Sequence, residues 1–165
     1  MNGFIASPPS PASPDGAIIA AGAFWPAIDI NRFRDAMRIG NQDIPHARVV
    51  EALLGAAIIA ADNLADWRAA REAEGHATLV AVPAEAIAHG SDQTESESRL
   101  VILWRRAVHA FAAADLIETH RDVSATGTGV NQSERPAMTP DDHRRNGVHA
   151  IRAILGQRRT AVELI

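Results

Sequence analysis

The chain has 165 residues, enough for one domain with a real core, and its 47% hydrophobic and 22% charged content is ordinary for a globular protein. A formal net charge of −4 argues against a protein that wraps nucleic acid with a basic exterior, which needs cations to displace phosphate counterions, and leaves room for a local basic patch. With no lysine and no cysteine, the chain has no P-loop, no Schiff-base chemistry, no disulfide, no thiolate nucleophile and no cysteine zinc site.

In chain order, residues 1–22 are expected to form a flexible Pro/Ser/Ala-rich arm, most clearly from Ser7 to Gly16. Met1 to Ile19 carries four prolines and no basic residue, so it does not read as a signal peptide. Asp29 is positioned as an N-cap for a short helix to about Ile39, with Gly40 suited to the left-handed position beyond its end. Asp43-Ile44-Pro45 opens a longer helix ended by Gly75. Val50, Leu53, Leu54, Ala57, Ile58, Ala61, Leu64 and Trp67 recur at steps of three and four along it, which predicts one buried face. The longest apolar run, Leu53 to Ala61, is far short of the ~20 residues that span a bilayer.

Between Gly75 and Thr94 the pattern is ambiguous, with Pro83 to Ala88 suited to one or two helical turns. Thr94-Glu95-Ser96-Glu97 has the form of a capping box, and predicts a helix from there to about Arg121. Leu100, Leu103, Trp104, Ala107, Val108, Phe111 and Ala114 cover more than one stripe, which makes this the expected most buried helix. Ser124 to Met138 lacks apolar periodicity and is expected to be a long mobile loop. Thr139-Pro140-Asp141-Asp142 then starts a last helix whose buried face is Val148, Ile151, Ile154 and Leu155, with Gly156 as the stop. The expected fold is all-α: a bundle of about four helices in a connector domain of residues 23–156, followed by an extended tail, 157–165.

Chemistry-bearing residues are dispersed. Seven histidines are present, but none pairs with another at i, i+4 around a glutamate as a zinc protease requires, so surface or packing roles are expected and no metal site is assigned. Asp115 and Glu118 read with Arg121 as a charge cluster on one helix face, and Asp141/Asp142 as the helix start. Gly127-Thr128-Gly129 lacks the third glycine and preceding strand of a dinucleotide loop. Phe24-Trp25-Pro26 joins arm to first helix and admits two roles: a plug for the bundle end, or an anchor at a subunit interface. Arg158, Arg159 and the terminal Leu164-Ile165 pair are candidate interface residues on a β-compatible tail, able to add a strand to a neighbour or dock in its groove.

Several segments, in order, resemble one family. They are Phe24-Trp25-Pro26-Ala27-Ile28-Asp29 through Arg34-Asp35-Ala36-Met37-Arg38-Ile39, and Arg105-Arg106-Ala107-Val108 through Glu118-Thr119-His120-Arg121-Asp122. Leu64-Ala65-Asp66-Trp67-Arg68, Ser98-Arg99-Leu100, and the end of the chain with Gly156 and Arg158-Arg159-Thr160-Ala161-Val162-Glu163-Leu164-Ile165 complete the set. Together they resemble the head completion (GPL) family of contractile-tailed phages. Trp104, His120 and the turn from Gly40 to Pro45 depart from its pattern. The resemblance implies a virion protein without catalysis or cofactor, assembled in the bacterial cytoplasm. It would bind the portal vertex of a DNA-filled head as a dodecameric ring, retain the DNA and receive later head-tail joining proteins. Phe24, Trp25, Pro26, Arg158, Arg159, Leu164 and Ile165 are the expected partner contacts. The competing class, a small helical DNA-binding phage regulator, needs a basic recognition helix, and Arg144, Arg145 and Arg152 come nearest to one. They sit beside two aspartates, and the loop before them is too long for a tight turn.

Overall fold

The computed structural model describes residues 13–37, 44–124 and 138–157, with the side chains of 120–124 left aside. In chain order it contains β1 (Ile18–Ile19), β2 (Ile28–Asp29), α1 (Ile30–Ala36), α2 (His46–Asn63), α3 (Ala65–Ala73), a 3-10 turn (Leu79–Ala81), β3 (Ala86–His89), β4 (Glu95–Ser98), α4 (Arg99–Ser124) and α5 (Pro140–Ile154). Among the described residues the molecule is therefore mostly helical but not all-α: five helices are accompanied by two antiparallel two-stranded sheets.

The first sheet pairs Ile18 with Asp29 and Ile19 with Ile28. Residues 13–22, expected as part of the arm, are thereby held on the body: Ile19 is buried, and the Ile30 amide donates to Ala17 O at 3.0 Å. Asp29 caps α1 as its sequence suggests, Oδ1 accepting from the Arg32 amide at 2.9 Å. Gly40, the expected terminator, lies outside the described residues, as do Arg38 to Asp43.

The long helix expected to reach Gly75 is two helices. Leu64, at φ −111° and ψ 9°, leaves helical geometry, and Asn63 Nδ2 donates to Ile59 O at 2.8 Å. The bend turns Trp67 edge-on to Phe24, with ring centroids 6.4 Å apart. The buried stripe of α2 also differs from the expected one. Val49, Ala52, Leu53, Ala56, Ala57 and Ala60 face the core, whereas Leu54 and Ile58 are exposed. Alanines make up most of this buried face, with Val49 and Leu53 packed among them.

Thr94-Glu95-Ser96-Glu97 is not a helix start: Thr94 ends a turn and Glu95 to Glu97 belong to β4, paired with β3 from Ala86↔Ser98 to His89↔Glu95. Gly90 (φ 90°) and Gln93 (φ 56°) form a turn that right-handed helix cannot pass, and Thr94 Oγ1 donates to Asp92 Oδ1 at 2.8 Å instead of capping. The stretch from Pro83 to Ala88, expected as helical turns, accordingly supplies strand. The helix begins at Arg99 and runs through the centre of the body, with Trp104, Ala107, Val108, Ala112 and Leu116 buried and α2 and α5 both packed along it.

At α5 the expected start is present in full. Thr139 Oγ1 accepts from the Asp142 amide, Asp142 returns a bond to the Thr139 amide, and Pro140 occupies the first turn. Its buried face contains Gly147, Ala150, Ile151 and Ile154; Val148, expected inside, is 47% exposed. Gly147 holds the closest approach: a Cβ there would lie 2.7 Å from Phe111 Cε1.

Candidate functional site

The aromatic segment before α1 is placed by two neighbours. Phe24 O accepts from the Leu79 amide at 2.8 Å, and Pro26 O accepts from Trp104 Nε1 at 3.1 Å. These bonds set Trp25 flat on Trp104, with centroids 4.2 Å apart and planes 10° from parallel, and Phe24 edge-on to Trp25. The Arg68 guanidinium lies 5.5 Å from the Phe24 centroid. Phe24 is 1% and Trp25 3% exposed, so both rings fill the end of the core as a plug. Pro26 is half-buried beside them. The other expected contact residues, Arg158, Arg159, Leu164 and Ile165, lie outside the described residues, as do the centre of the Ser124–Met138 loop and its Gly127-Thr128-Gly129.

Several charged groups are engaged with one another. Glu97 forms a two-pronged bond to Arg105, both arms 2.6 Å, which ties the β3–β4 hairpin to α4 and holds the Glu97 carboxyl below its ordinary pKa. Glu118, expected to serve a same-helix cluster, bonds Arg144 of α5, which also reaches Asp141 at 3.1 Å. Arg145 bonds Asp142. Two of the three arginines nearest to a recognition helix are thus neutralised by carboxylates, and Arg152 also has a partner within the chain. Among the described residues no group of His, Asp or Glu is arranged to hold a metal ion.

Two polar groups inside the body were not legible in the sequence. Arg34, 5% exposed, donates from Nε to Ser13 Oγ and from a terminal nitrogen to Ile44 O, each at 2.8 Å. Ser13 Oγ also lies 2.9 Å from His46 Nδ1, so this network ties the residues before β1 to α1 and to the start of α2. His109 is the buried histidine of α4. It meets Phe33 edge-on at 5.1 Å, its Nε2 has no hydrogen-bond partner among the described residues, and burial depresses its pKa to about 4, helped by the Arg105 and Arg32 charges. No periodicity marks either group, because each depends on segments brought together from a distance. The outward Leu54 and Ile58 did carry a signal: a stripe that counts alanine as core passes through Val49, Ala52, Ala56 and Ala60 and leaves them outside.

The described residues thus form a packed body whose ionic pairs are structural. The chain matches the phage head completion protein (GPL) family model over residues 19–165. It is similar to the head completion/stabilization protein of Escherichia phage P2, 32% identical over 157 residues that cover 95% of this chain and 88% of that protein. No solved structure matches it significantly. With a family match across most of its length and a relative of that identity covering nearly all of it, the chain belongs to the phage head completion protein (GPL) family.

Proposed function

We propose that this protein binds the portal vertex of a DNA-filled phage head, extends the channel as a ring of identical subunits, retains the packaged DNA and receives the later head-tail joining proteins. It is then a virion component assembled in the bacterial cytoplasm, with a structural role and no cofactor. The observation that carries the reading is the family match from residue 19 to the end of the chain. A helical body locked by the aromatic plug suits a subunit that must hold its shape against its neighbours. The net charge of −4 suits a conduit, since a strongly basic lumen would hold the passing strand. Of the expected contact residues, the tail (Arg158, Arg159, Leu164 and Ile165) acts directly on a partner in this reading. Phe24, Trp25 and Pro26 act by fixing the body from which the arm and tail extend.

The test is nuclease sensitivity of filled heads made without this protein. DNA degraded in its absence and protected when purified protein is added back supports the head-sealing role. DNA that stays protected, with tailed particles still forming, removes that role and returns attention to DNA binding.

A further inference from the structure

α2 packs along α4 by its alanine face and leaves the opposite side uncovered. Arg48, Gly55 and Asp62 follow one another at steps of seven, so they line up along that side, and all three are exposed. Ile58 and Ile59, 60% and 48% exposed, flank the line on its two sides, and Glu51 stands close to it between Arg48 and Gly55. Among the described residues the side chains of Arg48, Glu51 and Asp62 form no hydrogen bond or ion pair. A Cβ at Gly55 would meet nothing within 4 Å, so the single copy does not require glycine there, although glycine is the poorest helix former after proline. Gly147 differs, because Phe111 imposes it. An open glycine between two exposed isoleucines, with an unpaired cation at one end and an unpaired carboxylate at the other, asks for a closely approaching partner.

We infer that this side of α2 pairs with the same side of α2 in a second copy of the chain, the two helices antiparallel about a two-fold axis at Gly55. The face complements itself. Arg48 and Asp62 each lie seven residues, roughly 10 Å, from Gly55, so the axis sets Arg48 of each copy level with Asp62 of the other. Two reciprocal ion pairs result. Ile58 and Ile59 of each copy close over the bare backbone at Gly55 of the other. Glu51 comes level with Ile59 of the other copy and one turn from Arg48 of its own, leaving one cation for two carboxylates at each end and no cation facing a cation. With glycine at the crossing the axes can approach to the short end of the usual 8–10 Å range. At a shallow crossing of about 20° the helices diverge by roughly 4 Å at the level of Arg48, within reach of its side chain. Parallel pairing would set Arg48 on Arg48 and Asp62 on Asp62, so the charges select the antiparallel arrangement. A contact that uses one patch on both copies closes on itself and does not repeat around a ring. It is therefore a contact of the free protein, distinct from the faces that meet on a head. A single helix crossing is small, in the class of transient contacts, so the pair is weak and depends on concentration.

Sedimentation equilibrium of the purified chain at rising concentration should show monomer passing to dimer and no larger species. Arg48→Glu should weaken the dimer about tenfold, and Arg48→Glu/Asp62→Arg should restore it. Gly55→Gln is a better helix former but places a side chain on the axis, so it should remove the dimer without lowering the thermal midpoint of the dilute monomer. The natural chain has no cysteine. Gly55→Cys should therefore oxidise to a covalent dimer, whereas Val148→Cys, exposed on α5, should not under the same conditions. A chain that stays monomeric up to roughly 1 mM overturns the pairing and assigns the face to another occupant. A dimer that Arg48→Glu or Gly55→Gln leaves unchanged also overturns it, as does a folded double variant that stays monomeric, association that passes directly to larger species, or equal cross-linking of both cysteine variants. Nuclease protection of filled heads is read separately, so failure of the pairing leaves the head-sealing role standing.

Discussion

At the scale of single residues, His109 has a consequence readable in solution. Its imidazole is buried against Phe33, with Arg105 and Arg32 adding positive charge nearby, and its pKa falls to about 4 from an ordinary 6.5. The unfolded chain therefore binds a proton between those values and the folded chain does not. Stability is complete above about pH 6.5, declines as pH falls, and levels off below about pH 4. A shift of that size corresponds to at most roughly 3.4 kcal/mol. Denaturant midpoints measured across this window should fall with pH more steeply in the natural protein than in His109→Gln, which retains the contribution of His143, whose pKa burial also lowers; an unchanged slope in the variant would place the acid sensitivity elsewhere. Glu97 and Asp142, whose carboxyls are held below their usual range by Arg105 and by Thr139, lose their contributions at lower pH, outside most of that window. Trp25 is the second residue with a clear expectation. Its ring is stacked on Trp104 and buried, so Trp25→Ala should cost on the order of 3–5 kcal/mol in chemical denaturation. An effect under 1 kcal/mol would mean that the plug is dispensable to the body.

Among the elements, the two threonine-led capping patterns separate what local sequence can and cannot decide. Thr139 has a proline at the first helical position, a carboxylate at the third and no competing partner, and the helix starts there. Thr94 has the same spacing to a glutamate but follows a turn built by Gly90, Asp92 and Gln93, and strand pairing with residues 86–89 takes the segment instead. Thr139→Ala should therefore cost about 1 kcal/mol, and Thr94→Ala should leave the α4 helix start unaffected. Gly147 tests packing between elements. In the natural protein Gly147→Ala drives a methyl group into Phe111 and should destabilise, even though alanine is the better helix former by about 1 kcal/mol. In a Phe111→Ala background the same change should become neutral or stabilising. If Gly147→Ala is equally harmful in both backgrounds, the ring of Phe111 is not what requires glycine there.

For the whole molecule, the core of the described residues runs from Ile19 to Ile154. If the tail acts on a partner as proposed, removal of residues 158–165 should abolish nuclease protection of filled heads. A truncated protein that still seals heads would remove the tail from the proposed contacts. By itself the sequence determined the caps of α1 and α5, the burial of α4, the absence of thiol and lysine chemistry, and the family, because each is written in neighbouring residues or in the order of segments. Tertiary structure decided the rest. The break at Leu64, the strand at Glu95–Ser98, the alanine face of α2 and the buried Arg34 and His109 all turn on contacts between distant segments. Local propensities differ by about 1 kcal/mol or less per residue, while burying one large apolar side chain contributes about 1.5–3 kcal/mol, so where the two disagree the packing prevails.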